Sequence, residues 1–239
     1  MVSVNGLQWL DADDDITPFA PPEQALTDPN GLLAVGGSLS PQRLTAAYRS
    51  GIFPWFSEGQ PVLWWSPDPR AVFYPAEIRI SRSLRKRLRR GEYRITADRA
   101  FARVITACAQ TRADGLGTWI TASMREAYCH LHELGVAHSV EAWYENELAG
   151  GLYGVALGRV FFGESMFSRR SDASKAAFVA LARQLENWGY AMIDGQVPSR
   201  HLASLGARLM PRAQFIARLE HYCQQAEPVE SWAGFGTTP

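Results

Sequence analysis

The chain has 239 residues, 46% of them hydrophobic, with 24 basic and 24 acidic side chains and a formal net charge of zero. A neutral chain has no overall field to draw in nucleic acid, so any such contact must rest on a local patch. The length suits one large domain or a small domain joined to a medium one, and no apolar run approaches the roughly 18 residues that a membrane span needs.

The first 42 residues carry acids (Asp11, Asp13, Asp14, Asp15, Glu23, Asp28) and no Lys or Arg. Pro18, Pro21, Pro22 and Pro29 argue against long helices there. Asn30-Gly31 and Gly36-Gly37 are turn signals around the apolar run Leu32 to Val35. Ser40-Pro41 places Ser at a helix N-cap and Pro at its first position. Leu44, Ala47 and Tyr48 give that helix an apolar side, and Gly51 ends it. Residues 1–62 read as a small N-terminal domain, with 63–239 as the larger one. Aromatics and prolines then crowd together in Phe53-Pro54-Trp55-Phe56 and Trp64-Trp65-Ser66-Pro67-Asp68-Pro69-Arg70. Flat rings there suit stacking on a base, but most of them suit gluing the small unit onto the large one.

Glu77 to Ile80 has the character of a strand, and Ser81 to Arg90 that of a short helix. Arg79, Arg82, Arg85, Lys86, Arg87, Arg89 and Arg90 fall within it or beside it, with no acid among them. A solvated helix face normally mixes signs, so this one points to a phosphate-binding surface. Tyr93 to Thr96 reads as a strand. Asp98 is placed to cap a helix with Phe101, Val104, Ile105 and Cys108 inward. A loop over Gly115 to Gly117 precedes a helix capped by Thr121, with Met124, Tyr128, Leu131 and Leu134 as its stripe. His130 and His132 do not share a helical face, so with His138 they do not suggest a metal site. Cys108, Cys129 and Cys223 show no metal spacing, and a sparse, odd set suits a reducing compartment. No secretory leader is recognisable, so a cytoplasmic protein is expected.

From Leu148 onward the pattern is strand, tight turn at Gly158-Arg159, short strand Val160 to Phe162, loop, helix, strand. Glu164, Ser165 and Met166 are expected where the chain leaves the second strand. Ser171 or Asp172 is placed to cap a helix bearing Phe178, Leu181, Ala182, Leu185 and Trp188, and Gly189 ends it. Tyr190 to Ile193 follows as a strand, with Asp194 and Gln196 at its carboxyl end. Two polar clusters thus leave neighbouring strand ends on one side of a sheet, where α/β sheets usually carry sites. The same residues also suit an ordinary capped loop. Ser199 caps a short helix ended by Gly206, Pro211 to Gln225 forms the last helix, and the tail from Glu227 reads as loosely held.

The segments ALTDPNGLLAVGGSLSPQRL, GIFPWF, LWWSPDPRAV, GTWIT, HSVE, GGLYGVALGRVFFGESMFS, ASK, IDGQV and HLASLGA together resemble the bacterial leucyl/phenylalanyl-tRNA–protein transferases, over roughly Pro21 to Arg212. The resemblance implies a mixed α+β or α/β fold: a small N-terminal domain and a GNAT-like acyltransferase domain with a mixed central sheet. It implies transfer of Leu or Phe from aminoacyl-tRNA to the N-terminal Arg or Lys of a protein, marking that protein for degradation by the N-degron route. It implies no cofactor, no metal and a monomer. Trp55 and Trp119 are then expected at the 3′-terminal adenosine, with Asp194 and Gln196 as the catalytic pair. Glu164, Met166, Leu152, Phe161, Tyr128 and Phe178 are expected around the donor side chain and the acceptor terminus. Arg82, Arg85, Lys86, Arg87, Arg89 and Arg90 are the candidates for tRNA. Three positions depart from the family habit. Gly195 stands where Cys is frequent, Leu152 where Met is common and Phe178 where Leu is common.

The chemistry expected is aminolysis of an activated ester, in which positioning supplies much of the rate. Asp194 has the chemistry to accept a proton or only to align the amine, and both roles stand. An acyl-CoA transferase would need a glycine-bearing pyrophosphate loop, and SMFSRRSDASKAAF contains no glycine. A purely RNA-binding module would leave Asp194 and Gln196 idle.

Overall fold

The computed structural model describes residues 2–4, 6–111, 119–226 and 232–235. Its first sheet holds β1 (Val2–Val4), β2 (Leu7–Leu10), β3 (Leu32–Gly36), β4 (Phe53–Pro54) and β5 (Leu63–Trp65), in the order β1-β2-β3-β5-β4. Helix α1 (Pro41–Arg49) lies between β3 and β4 in the chain. Ser40 Oγ accepts the Arg43 N–H at its start, with Pro41 following, which is the expected cap. The second sheet takes β6 (Arg70–Phe73), β7 (Arg94–Ala97), β8 (Ala137–Tyr144), β9 (Glu147–Leu157), β10 (Val160–Ser168), β11 (Met192–Gln196) and β12 (Arg208–Met210). Their order is β12-β6-β11-β10-β9-β8-β7. It is a mixed sheet: β10 and β11 run parallel and the other pairs antiparallel. Strand β5 begins one residue past the division expected at residue 62 and pairs in the first sheet, and the chain enters the second at Arg70.

Six further α-helices follow among the described residues: α2 (Arg82–Arg89), α3 (Phe101–Thr111), α4 (Ala122–Glu133), α5 (Ala173–Asn187), α6 (Arg200–Leu205) and α7 (Arg212–Tyr222). The strand period of two sends Tyr153 and Phe162 to one face, Leu152 and Phe161 to the other. The first face shares a continuous core with α1, α3, α4, α7 and the first sheet, through Leu44, Tyr48, Trp64, Val104, Met124 and Phe215. The second face packs Phe178, Leu181 and Leu185 of α5. At Gly150 a Cβ would come within 2.6 Å of Ala173 Cβ, and at Gly154 within 2.2 Å of Phe162 O. Those two glycines let α5 and β10 close onto β9.

Several local expectations change. Glu77 to Ile80 is not a strand: Pro75–Glu77 is a 3-10 turn, and the Arg79 N–H bonds Leu205 O instead of a ladder. Asp98 does not cap α3. It has φ 56°, and its carboxylate accepts the Ser139 N–H and meets His138 Nδ1, while Glu141 Oε1 takes the Ala100 N–H. Asp172 occupies the α5 N-cap with φ 63° but makes no capping bond, pairing instead with Lys175 and Arg87. At about 1.5–3 kcal/mol per buried large side chain, the apolar stripe of α5 outweighs a cap worth about 1 kcal/mol. Leu134 is exposed rather than part of the α4 stripe. Trp232 in the tail is buried and stacks on His138 at 4.0 Å. The loop expected over Gly115 to Gly117 lies outside the described residues.

Candidate active site

Strands β10 and β11 pair at Val160 with Met192, Phe161 with Ile193 and Phe162 with Asp194, and then part. Both are irregular there: β10 shifts register against β9 between Gly163 and Ser165, and β11 against β6 between Asp194 and Gln196. Beyond that point β10 stays with β9 to Ser168 and β11 stays with β6. Glu164, Ser165 and Met166 therefore belong to the strand instead of leaving it, because the bulge turns their side chains without ending the pairing. The gap between the strands is a cavity of about 420 Å³, and Glu164, Ser165, Met166, Asp194 and Gln196 all line it. The two polar clusters expected at neighbouring strand ends thus meet in one site. A cavity of this volume accommodates a small ligand or one end of a larger one.

Asp194 is completely buried. Arg70, also completely buried, donates from Nε to Oδ1 (2.9 Å) and from Nη2 to Oδ2 (2.7 Å). The guanidinium lies between the rings of Phe53 and Phe215, 4.8 and 4.6 Å from their centroids, and donates to Gly51 O. Asp194 Oδ1 also accepts the Gln196 N–H at 2.8 Å. That bond holds Gln196 at φ 59°, a conformation costly for a residue other than Gly. The Gln196 side chain then donates from Nε2 to Glu164 Oε1 at 2.6 Å.

Glu164 receives Tyr48 Oη on Oε1 (2.7 Å) and Tyr128 Oη on Oε2 (3.1 Å), and the two hydroxyls touch each other. Burial raises its carboxyl to about 7, against the lowering effect of the three donors. Burial, then the Glu164 charge, raise both phenols well above their ordinary value. Tyr128 lies behind Glu164 and does not line the cavity. Ser165 Oγ is buried at the cavity wall with no hydrogen-bond partner among the described residues.

Leu152, Phe161, Phe178 and Ile193 form the apolar wall, and Trp55 and Trp119 also line the cavity. Trp55 is 41% exposed and tilted against Trp65 at 5.5 Å, whereas Phe53, Phe56 and Trp64 are core. His201 lies 3.4 Å from Met166 Sδ, and burial, then the Lys175 charge, lower its pKa. No Lys or Arg lines the cavity among the described residues.

Helix α2 lies outside the cavity. Leu84 anchors it, and Arg82, Arg85, Lys86, Arg89 and Arg90 are exposed. Arg87 differs from the rest: it pairs with Glu92 at 2.6 Å and reaches Asp172 at 3.4 Å. Of His130, His132 and His138, the last two both turn toward Asp98, and none of the three lines the cavity.

Three residues of the site escape a reading of the sequence. Tyr48 reads as the core side of α1, Arg70 as the end of a proline-rich loop, and His201 as a plain helix residue. Arg70 had the clearest signal, being a lone cation inside an aromatic segment.

The family model for leucyl/phenylalanyl-tRNA protein transferase matches residues 72–220, and that for the N-terminal domain of the same transferase matches residues 37–68. Over 213 residues the chain is 61% identical to the leucyl/phenylalanyl-tRNA–protein transferase of Stutzerimonas stutzeri, covering 89% of this chain and 93% of that one. It is 59% identical over 226 residues to the protein of that name from Nitrosospira multiformis, covering 95% and 96%. Among solved structures it is similar to L-PGS from Bacillus licheniformis, at 14% identity and a TM-score of 0.41, covering 71% of this chain and 56% of that one. A GCN5-related N-acetyltransferase from Kribbella flavida matches at 11% identity and a TM-score of 0.38, covering 74% and 63%.

Proposed function

The chain belongs to the leucyl/phenylalanyl-tRNA–protein transferase family, and on that premise we propose that its acceptors are proteins beginning with Arg or Lys. The observation that carries this reading is the charge of the cavity. Two carboxylates, Glu164 and Asp194, line it, and no Lys or Arg does so among the described residues. Arg70 behind the wall balances Asp194, so Glu164, held by neutral donors, supplies the carboxylate without a cationic partner. His201, lowered in pKa, adds little positive charge near neutral pH. A cationic N-terminal residue is favoured in such a place and an acidic one is repelled.

The donor end enters against Leu152, Phe161 and Phe178, which suit a Leu or Phe side chain. Trp55 and Trp119 flank the terminal adenosine, and the exposed cations of α2 take phosphates further along the tRNA. The ester is already activated, and a peptide α-amine with an ordinary pKa of ~7.7–8.0 is partly neutral in the cell. Gln196 orients the amine, and Asp194 is an aligner, since Arg70 and the Gln196 N–H engage its oxygens. Ser165 Oγ, without a protein partner among the described residues, is available to the ester oxygens. The enzyme works as a monomer in the cytoplasm, and its product, a protein with a new N-terminal Leu or Phe, enters N-degron degradation.

Mass spectrometry of peptides incubated with purified protein and Leu- or Phe-charged tRNA tests the reading. Arg- and Lys-starting peptides should gain one residue at the α-amine. Ala-starting, Glu-starting and α-acetylated Arg peptides should not. Equal transfer to all free amines would remove the claim of acceptor choice.

A further inference from the structure

Ester aminolysis releases a proton from the attacking amine, and two carboxylates of the cavity are there to receive it. They differ in their partners. Protonating Asp194 would strand the Arg70 guanidinium, whose other neighbours are the rings of Phe53 and Phe215 and the Gly51 carbonyl. A buried charge left in that way is strongly unfavourable. Glu164 is held by neutral groups, the hydroxyls of Tyr48 and Tyr128 and the amide of Gln196. Its three donors leave one of about four lone-pair directions open, and its protonation strands no counter-charge.

We infer that Glu164 takes the proton from the attacking amine, and that Tyr48, supplied by α1 beside the first sheet, is the positioning residue that sets it. This rests on the aminoacyl-transfer reading of the site. The amine nitrogen bonds to the ester carbonyl carbon while its proton moves to Glu164. The bond from that carbon to the ribose oxygen then breaks, and Glu164 returns the proton to the ribose oxygen. No proton or electron is gained or lost over the cycle. The groups facing Glu164 are Tyr48 from α1, Tyr128 from α4, and Gln196 and Asp194 from β11, with Tyr153 of β9 edge-on to Tyr128 at 5.6 Å. A carboxyl raised to about 7 by burial is close in basicity to the amine it serves, which favours general-base transfer. By this reading α1, which joins β3 to β4 in the chain, contributes to the reaction and not only to the core.

The test is the saturated single-turnover rate with phenylalanyl-adenosine and Arg-starting peptides across the neutral pH range. Two peptides of different amine basicity separate the amine's own ionisation from that of the enzyme. The wild type should show an enzyme limb near 7 that does not move with the peptide. Glu164→Gln should abolish that limb and slow transfer by roughly 10²- to 10⁴-fold. Tyr48→Phe removes a donor to the charged carboxylate, so the limb should move to higher pH. Its phenyl ring keeps the packing on Phe162 (5.1 Å). Tyr128→Phe should shift the limb in the same sense, and serves where Tyr48→Phe does not fold. The Glu164 carboxyl ¹³C resonance should follow both shifts. Wild-type rates in Glu164→Gln would overturn the inference, as would tyrosine variants that lose rate with an unmoved limb. Failure of the wild type with every Arg- and Lys-starting peptide would instead overturn the acceptor assignment.

Discussion

Arg70 and Asp194 form a two-pronged ion pair with both side chains wholly buried, at 2.9 Å and 2.7 Å. Breaking such a pair from one side costs about 3–5 kcal/mol, because the remaining charge has no partner. Asp194→Asn should therefore lose stability of that order in urea unfolding, and under folding conditions should lose kcat while donor Kd stays near wild type. Arg70→Met with Asp194→Leu should recover much of the stability and none of the activity. Equal unfolding midpoints for wild type and Asp194→Asn would show that the pair does not hold β6 to β11.

Glu164 also leaves a mark on stability. Its folded carboxyl is raised from 4.5 to about 7, so the folded state holds the proton more tightly than the unfolded chain. The stabilisation linked to it is complete below about 4.5 and is lost as pH rises through about 7. Glu164→Gln should thus gain Tm relative to wild type on going from mildly acidic to mildly alkaline buffer. A Tm difference that stays constant over that interval contradicts the assignment of the raised group to Glu164.

The exposed cations of α2 should govern the salt dependence of tRNA use. Replacing Arg82, Arg85, Lys86 and Arg89 by Glu should raise KM for charged tRNA and flatten its dependence on salt. The phenylalanyl-adenosine donor should be spared. Arg87 is left out because it already serves Glu92 and Asp172. Equal losses with both donors would place the effect in the fold.

The apolar wall of Leu152, Phe161 and Phe178 should accept Leu and Phe and use Val and Ile poorly, since a β-branch widens the side chain near the reacting carbonyl. One methylene in such a pocket is worth only ~1–3 kcal/mol, so the discrimination should be moderate. Competition between charged tRNAs measures it. Ile transferred as fast as Leu would contradict this shape for the pocket.

Helices with a cap and an apolar stripe are legible in the sequence. Ser40, Thr121 and Ser199 each cap as expected, because the cap and the stripe are local. Strand order alone brings Glu164 near Asp194 and Gln196 in outline. The cause of their meeting, paired bulges that part β10 from β11, depends on register and has no local signature. Tyr48 and Glu164 are 116 positions apart in the chain and Arg70 and Asp194 are 124 apart. A lone cation among aromatics marks Arg70 but does not name its distant partner, and a buried Tyr looks like core.

Donor and acceptor are proposed to meet in the gap between β10 and β11. The most direct test is a crystal structure of the protein with a stable amide analogue of phenylalanyl-adenosine, in which nitrogen replaces the ester oxygen. The adenine should lie against Trp55 and Trp119, the phenyl ring against Leu152, Phe161 and Phe178, and the carbonyl within reach of Gln196. Trp55→Ala should weaken binding of the analogue by about 1–3 kcal/mol if stacking holds the base. An analogue bound outside this gap, with the gap left open, would contradict that placement.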